Sequence, residues 1–249
     1  MKKNNPKVTV IITSYNSQRY LKYSINSVLN QSFRDFEILI IDDGSTDTSR
    51  AIIKKFASEE RKIRYFFIKK NTGTASIPRN IGANLARGEY VAFLDADDLW
   101  LKKKLEIQLQ NFDSNKILSF TSSNYIGENI KVYNLLSSKI RKIIQKFIFK
   151  KKLKGLYAYN PVILSSTLLK KKLFKDLKFD ESKSIVGIED LDLWLKIFDK
   201  YPNKIIFENS KLVTIRRHKE SLNINYNKAS LRAIYCVSKF FIKKNDFKY

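Results

Sequence analysis

Hydrophobic and polar positions alternate between two periods along the first hundred residues. The runs KVTVII (7–12), FEILII (36–41), IRYFFI (63–68) and YVAFL (90–94) are short and rich in β-branched and aromatic residues, and they read as strands. Between them the apolar positions fall at helical spacing. Tyr20, Leu21, Ile25, Val28 and Leu29 share one face after the first run. Ile52, Ile53 and Phe56 share one after the second, behind Ser45 and Thr46 as candidate caps. Ile81 and Leu85 lie one turn apart after the third, with Gly88 as a stop.

Strands apolar on both faces and separated by helices predict a mostly parallel sheet covered on both sides. Ligands of such sheets bind beyond the carboxyl ends of the strands. Four polar clusters fall there: Thr13 to Asn16, Asp42 with Asp43, Asn71 to Gly73, and Asp95 to Asp98. All four are therefore expected on one rim.

The second half is less regular. SKIRKIIQKFIFKKKLKG (138–155) sets Ile140, Ile143, Ile144, Phe147 and Ile148 on one helical face and lysines on another. Both a membrane-surface helix and a core helix with a solvated lysine face fit that pattern. A further amphipathic helix is expected from SLRAIYCVSKFFIKK near the end. No repeat and no Gly/Ser- or Pro-rich linker divides the chain.

The 249 residues, 43% of them hydrophobic, suffice for a substantial core in one large domain or two intimate halves. Cys236 is the single cysteine, which excludes an intrachain disulfide and cysteine zinc clusters and suits a reducing compartment. The opening MKKNNPK leads into too short an apolar run for a signal peptide, and no run reaches a membrane span. The expectation is a cytoplasmic protein, soluble or peripheral at the inner membrane face. Its net charge of +24 biases it toward polyanions, anionic lipids or phosphate-bearing substrates. Residues 131–183 concentrate that charge, with fifteen basic residues against three acidic ones.

Against that background the acidic clusters stand out. In IIDDGSTD (40–47) an acid at a strand end can accept bonds from ribose hydroxyls or a base N–H. In DADD (95–98), two carboxylates about 5 Å apart repel by roughly 3 kcal/mol at an effective dielectric of about 20, so a cation or strong donor is needed. Oxygen ligands favour Mg²⁺ or Mn²⁺, with Asp97 as first ligand and Asp95 on the metal or the ribose. Arg79, in GTASIPRN (73–80), can pair with a nucleotide phosphate or with one of these carboxylates. In GIEDLDLWLKIF (187–198), Glu189 and Asp190 fall in the first turn of a helix whose Leu191, Trp194, Leu195 and Phe198 recur at helical spacing. These two acids either suit the macrodipole or supply a general base. His218, the lone histidine, can give the metal a nitrogen or the diphosphate a proton.

Together VTVIITSYN, QSFRDFEILIIDDGSTD, NTGTASIPRNIGANLARGEYVAFLDADD and GIEDLDLWLKIF resemble the family 2 glycosyltransferases of bacterial surface-polysaccharide synthesis. The resemblance is dense over residues 8 to about 100 and sparse from about 160 to 220, and residues 116–158 match nothing in it. It implies an α/β GT-A fold with a mostly parallel central sheet flanked by helices and a more helical C-terminal acceptor-side region. Residues 1–113 would form the nucleotide-sugar half and 114–249 the acceptor half of one domain. It also implies inverting transfer of a sugar from a nucleoside diphosphate sugar to a hydroxyl of a glycan or lipid-linked acceptor, assisted by Mn²⁺ or Mg²⁺. Thr13, Tyr15, Asp43, Arg79 and Asp95 are the implied donor contacts. Asp95 and Asp97 match the Asp-X-Asp metal motif, with His218 as a further ligand. Asp190 matches the general base, with Glu189 and Trp194 on the acceptor side. The membrane-spanning helices of processive members are missing from this chain, which implies a non-processive enzyme. A metal-dependent nucleotidyltransferase has a similar sheet and acids, and the charge alone also permits a nucleic-acid-binding protein, although no reader motif is present and no nucleic acid is expected.

Overall fold

The computed structural model describes residues 5–127, 160, 162–218 and 226–246, with side chains from 231 to 242 in the last segment. Four strands follow the predicted runs: β1 (Val8–Ser14), β2 (Phe36–Asp42), β3 (Ile63–Phe67) and β4 (Tyr90–Asp95). They are parallel neighbours in the order β3-β2-β1-β4. Their alternate side chains divide between two cores. Val8, Val10, Ile12, Ile38, Ile40, Ala92 and Leu94 face one side, where α1 (Leu21–Leu29), α2 (Ser49–Glu59) and α4 (Lys104–Gln110) pack. Ile11, Leu39, Ile41, Val91 and Phe93 face the other, under α3 (Ser76–Leu85), α5 (Glu189–Lys200) and α6 (Tyr226–Asp246). Apolar runs thus become strands because both of their faces are covered.

The sheet then continues further than the sequence patterns foretell. β5 (Leu99–Trp100), β6 (Leu118–Gly127), β7 (Thr167–Lys170) and β8 (Ile205–Arg217) complete an eight-stranded order β3-β2-β1-β4-β7-β6-β8-β5. β7 runs antiparallel between β4 and β6, while β6 and β8 pair in parallel. The result is the expected α/β sheet with helices on both faces, and its second half adds three strands to the helices expected there.

Smaller expectations change as well. β3 is an edge strand, and Tyr65 and Phe66 are exposed on it. Neither Ser45 nor Thr46 caps α2; Asp47 Oδ1 accepts the Ser49 N–H at 2.9 Å. Gly88 lies beyond the end of α3 and serves close approach, since a Cβ there would meet the Thr9 nitrogen at 2.5 Å. The basic 138–155 segment lies outside the described residues. No helix among the described residues is long and apolar enough to cross a membrane.

Candidate active site

Parallel strands bring their carboxyl ends to one rim, and the predicted polar clusters meet there. After β2 the two aspartates diverge. Asp42 is fully buried and accepts Arg50 Nε at 2.7 Å and the Ser45 N–H at 3.1 Å. Asp43 accepts Asn71 Nδ2 at 2.9 Å and, from Thr72, the N–H at 3.1 Å and the hydroxyl at 2.9 Å. Burial raises the Asp43 carboxyl above its ordinary value, and the Thr72 donors pull it back. The turn depends on Gly44 at φ 76°, where a Cβ would lie 2.4 Å from the Asn71 nitrogen. On β1, Thr13 stands in register with Asp95 of β4 and Ile41 of β2. Tyr15 follows it, 49% exposed.

The acids after β4 have three different environments. Asp95 Oδ1 accepts Arg79 Nη2 at 3.0 Å, and Arg79 Nη1 reaches Glu189 Oε1 at 3.0 Å. Arg79 is 8% exposed, sits over the Phe179 ring and thereby ties α3, β4 and α5 together. Burial alone would lower its pKa, but Asp95, Glu189 and Asp190 surround it and leave it raised. Asp97 Oδ2 lies 2.9 Å from His218 Nε2, and the Tyr20 ring packs 4.9 Å from the imidazole. Asp98 is buried: Oδ2 accepts the Ser165 hydroxyl at 2.6 Å and Oδ1 accepts the Arg216 N–H at 3.0 Å. Burial, followed by the neighbouring aspartates, raises both Asp97 and Asp98.

Asp190 opens α5, directly after Glu189. Its Oδ2 accepts Asn160 Nδ2 at 2.9 Å and its Oδ1 accepts the Leu191 N–H at 2.8 Å. Burial first, then the Glu189 charge, push its carboxyl up to about 6, with Arg79 opposing. A carboxylate held at that value is suited to accepting a proton near neutral pH. Glu189 and Trp194, expected on the acceptor side, are both closed off. Glu189 is 3% exposed, held by Arg79 and the Gly187 N–H, and Trp194 is 0% exposed with its indole N–H on the Val162 carbonyl at 3.0 Å. Helical spacing identifies residues that share a face but not whether another element covers it.

Arg79 and His218 each take one oxygen, of Asp95 and Asp97 respectively, which leaves a second oxygen on each carboxylate. Their side chains are 37% and 30% exposed. Among the described residues no group of three His, Cys, Asp or Glu side chains stands ready to hold a metal ion. The two reachable carboxylates fit a cation that completes its shell with substrate oxygens and water, as Mg²⁺ and Mn²⁺ do, while the His218 Nε2 is already on Asp97. The partners Asn160, Ser165 and Arg216 escaped sequence reasoning. Only Arg216 carried a signal, as a basic residue two positions before the lone histidine.

Residues 9–177, more than half of the chain, match the family described as glycosyl transferase family 2. An uncharacterized glycosyltransferase of Haemophilus influenzae is 32% identical over 233 residues, covering 92% of this chain and 86% of that one. The teichuronic acid biosynthesis glycosyltransferase TuaG of Bacillus subtilis, itself assigned provisionally, is 40% identical over 120 residues, or 48% of this chain and 47% of its own. Among solved structures, S. aureus TarS 1-349 in complex with UDP-GlcNAc superposes with a TM-score of 0.67 at 22% identity, covering 88% of this chain and 61% of that one. The mannosyltransferase PcManGT of Pyrobaculum calidifontis, in complex with GDP-Man and Mn²⁺, gives 0.66 at 17% identity, covering 98% and 65%. Both solved proteins thus extend beyond the part this chain spans. The architecture is the GT-A fold. With the sequence match over most of its first 177 residues, the chain belongs to glycosyl transferase family 2.

Proposed function

We propose that this glycosyltransferase is inverting and non-processive, moving a sugar from a nucleoside diphosphate sugar to a hydroxyl of a glycan or lipid-linked acceptor. Surface polysaccharide or glycolipid synthesis at the inner membrane face is its setting. The observation that carries the reading is the placement of Asp190, raised to about 6 and held by Asn160 and Leu191, within the electrostatic reach of the Arg79 that pairs with Asp95 and Glu189. A proton acceptor and a donor-side carboxylate thereby share the field of one guanidinium.

Thr13, Tyr15 and Asp43 form the base-and-ribose pocket, with Asp43 held for that task by Asn71 and Thr72. UDP- and GDP-sugars are the first donors to test, since TarS and PcManGT are solved with UDP-GlcNAc and GDP-Man. Asp97 and Asp95, with His218, would hold Mn²⁺ or Mg²⁺. When bound, the metal supplies positive charge to the diphosphate as it leaves. Asp190 takes the acceptor proton while the hydroxyl attacks the anomeric carbon from the face opposite the diphosphate. One displacement inverts the configuration. Residues up to 113 supply the donor side and those from 114 the acceptor side.

Asp190→Asn tests the assignment. Binding of UDP- or GDP-sugar is expected to persist while release of nucleoside diphosphate and transfer fall by roughly 10²–10⁴-fold. Undiminished transfer would sink the proposed base, and release of pyrophosphate would replace sugar transfer by nucleotidyl transfer.

A further inference from the structure

Directly beneath the acidic motif lies a polar assembly that the proposed chemistry does not use. Three consecutive carbonyls of the 164–167 turn are each held by a side chain of residues 100–108. Trp100 Nε1 donates to Ser165 O at 2.8 Å, Gln108 Nε2 to Ser166 O at 3.1 Å, and Lys104 Nζ to Thr167 O at 3.4 Å. The three donors recur every four residues, from the end of β5 along one side of α4. Lys104 is buried without a carboxylate beside it. It also donates to Gln108 Oε1 at 2.7 Å and lies 4.0 Å from the Trp100 ring centroid. Burying an amine in this way is costly, and its two acceptors, Gln108 Oε1 and the Thr167 carbonyl, offset part of that cost.

The geometry fixed is that of Ser165. Its hydroxyl donates to Asp98 Oδ2 at 2.6 Å and accepts the Asp95 N–H at 3.1 Å. It therefore spans the motif from its first acid to its last. Asp98 passes the constraint on through the Arg216 N–H to the strand that precedes His218, and Arg216 Nε returns to the Asp97 carbonyl at 3.1 Å. Ser24 closes the loop from α1, with its hydroxyl within 2.7 Å of the Ala96 carbonyl and 2.8 Å of that of Asp98.

We infer that Ser165 is a positioning residue for Asp95 and Asp97, and that Trp100, Lys104 and Gln108 form the brace that aims it. Asp98 is the coupling group and not a ligand, since both of its oxygens already have protein partners. The inference rests on the proposed metal role of Asp95 and Asp97.

The test compares Mn²⁺ binding, by titration calorimetry and EPR without any donor sugar, in the full chain and in Ser165→Ala. Outer-shell groups of this kind shift metal affinity by roughly 10–100-fold, and a loss of at least tenfold is expected. Ser165→Cys, near-isosteric and a poor donor, should show the same direction and serves if the alanine variant does not fold. Ile53→Ala, a core truncation under α2, supplies a matched loss of thermal stability and should leave Mn²⁺ affinity within twofold of wild type. Equal affinity in wild type and the Ser165 variants overturns the positioning role alone. A loss in Ile53→Ala as large as in Ser165→Ala reduces it to general destabilisation and overturns it too. Absence of Mn²⁺ binding by the wild type overturns the metal role itself.

Discussion

Replacing Arg79 by methionine removes a cation from between two carboxylates while roughly keeping the side-chain volume. Each contact spans 3.0 Å, a gross attraction of about 5–6 kcal/mol at an effective dielectric of about 20, most of it offset by desolvation. The consequence of losing it is asymmetric. Asp95 can hydrate because its side chain is over a third exposed, whereas Glu189 stays buried with only the Gly187 N–H, at 2.6 Å. Breaking a buried pair from one side costs about 3–5 kcal/mol. For a chain of this size that lowers Tm by roughly 6–20 °C. Arg79→Met with Glu189→Gln keeps the acceptor for Gly187 and removes the stranded charge, so it should recover most of the loss. Urea unfolding of wild type, both single variants and the double completes the cycle. A cost below about 1 kcal/mol for Arg79→Met, or a double variant no more stable than Arg79→Met, would refute the reasoning.

Three other outcomes follow from the same rim. Because burial and Glu189 raise Asp190 from the ordinary value near 3.8 to about 6, its proton favours the folded state at low pH, and that stabilisation is lost as pH rises from 3.8 through 6. Asp190→Asn should therefore melt higher than wild type at pH 8, with the advantage gone below pH about 4. Wild-type transfer should fall as pH drops below about 6, with Arg79→Met moving that limb upward, since Arg79 leads the groups that lower Asp190, ahead of the Leu191 N–H and Asn160; a limb unmoved by Arg79→Met contradicts the coupling. Gly44→Ala forces a Cβ onto the Asn71 backbone at φ 76°, a strain of about 1–3 kcal/mol. It should raise KM for the donor more than it lowers kcat by disturbing the Asn71–Thr72 cradle of Asp43. An unchanged donor KM would remove that cradle from the binding account.

What could be read in the sequence follows from how local the physics is. β1, β2 and β4 are continuous apolar runs because both of their faces are buried, and each ends in the polar group it presents, so rim and strand were legible together. β6 escaped because its buried positions include Ser119, Thr121, Ser122 and Ser123, which composition alone assigns to a loop. β8 escaped because its burial is partial and charges interrupt it. The acids were legible as a cluster, but their partners were not. Ser165 lies 67 positions from Asp98, and Glu189 110 from Arg79. No periodicity relates residues so far apart. Trp194 shows the converse: a large aromatic one turn from Glu189 and Asp190 reads as an acceptor contact, while its indole closes the core against Val162.

The pairing of β5 with β8 has a consequence for synthesis on the ribosome. Asp98 waits for the Arg216 N–H and Asp97 for His218, 118 and 121 positions later in the chain. At about 5–20 residues per second, roughly 6–24 s of translation separate the acids from the strand that fastens them. A chain interrupted between Asp98 and that strand carries the whole acidic motif but lacks the Arg216 and His218 contacts that fasten Asp98 and Asp97.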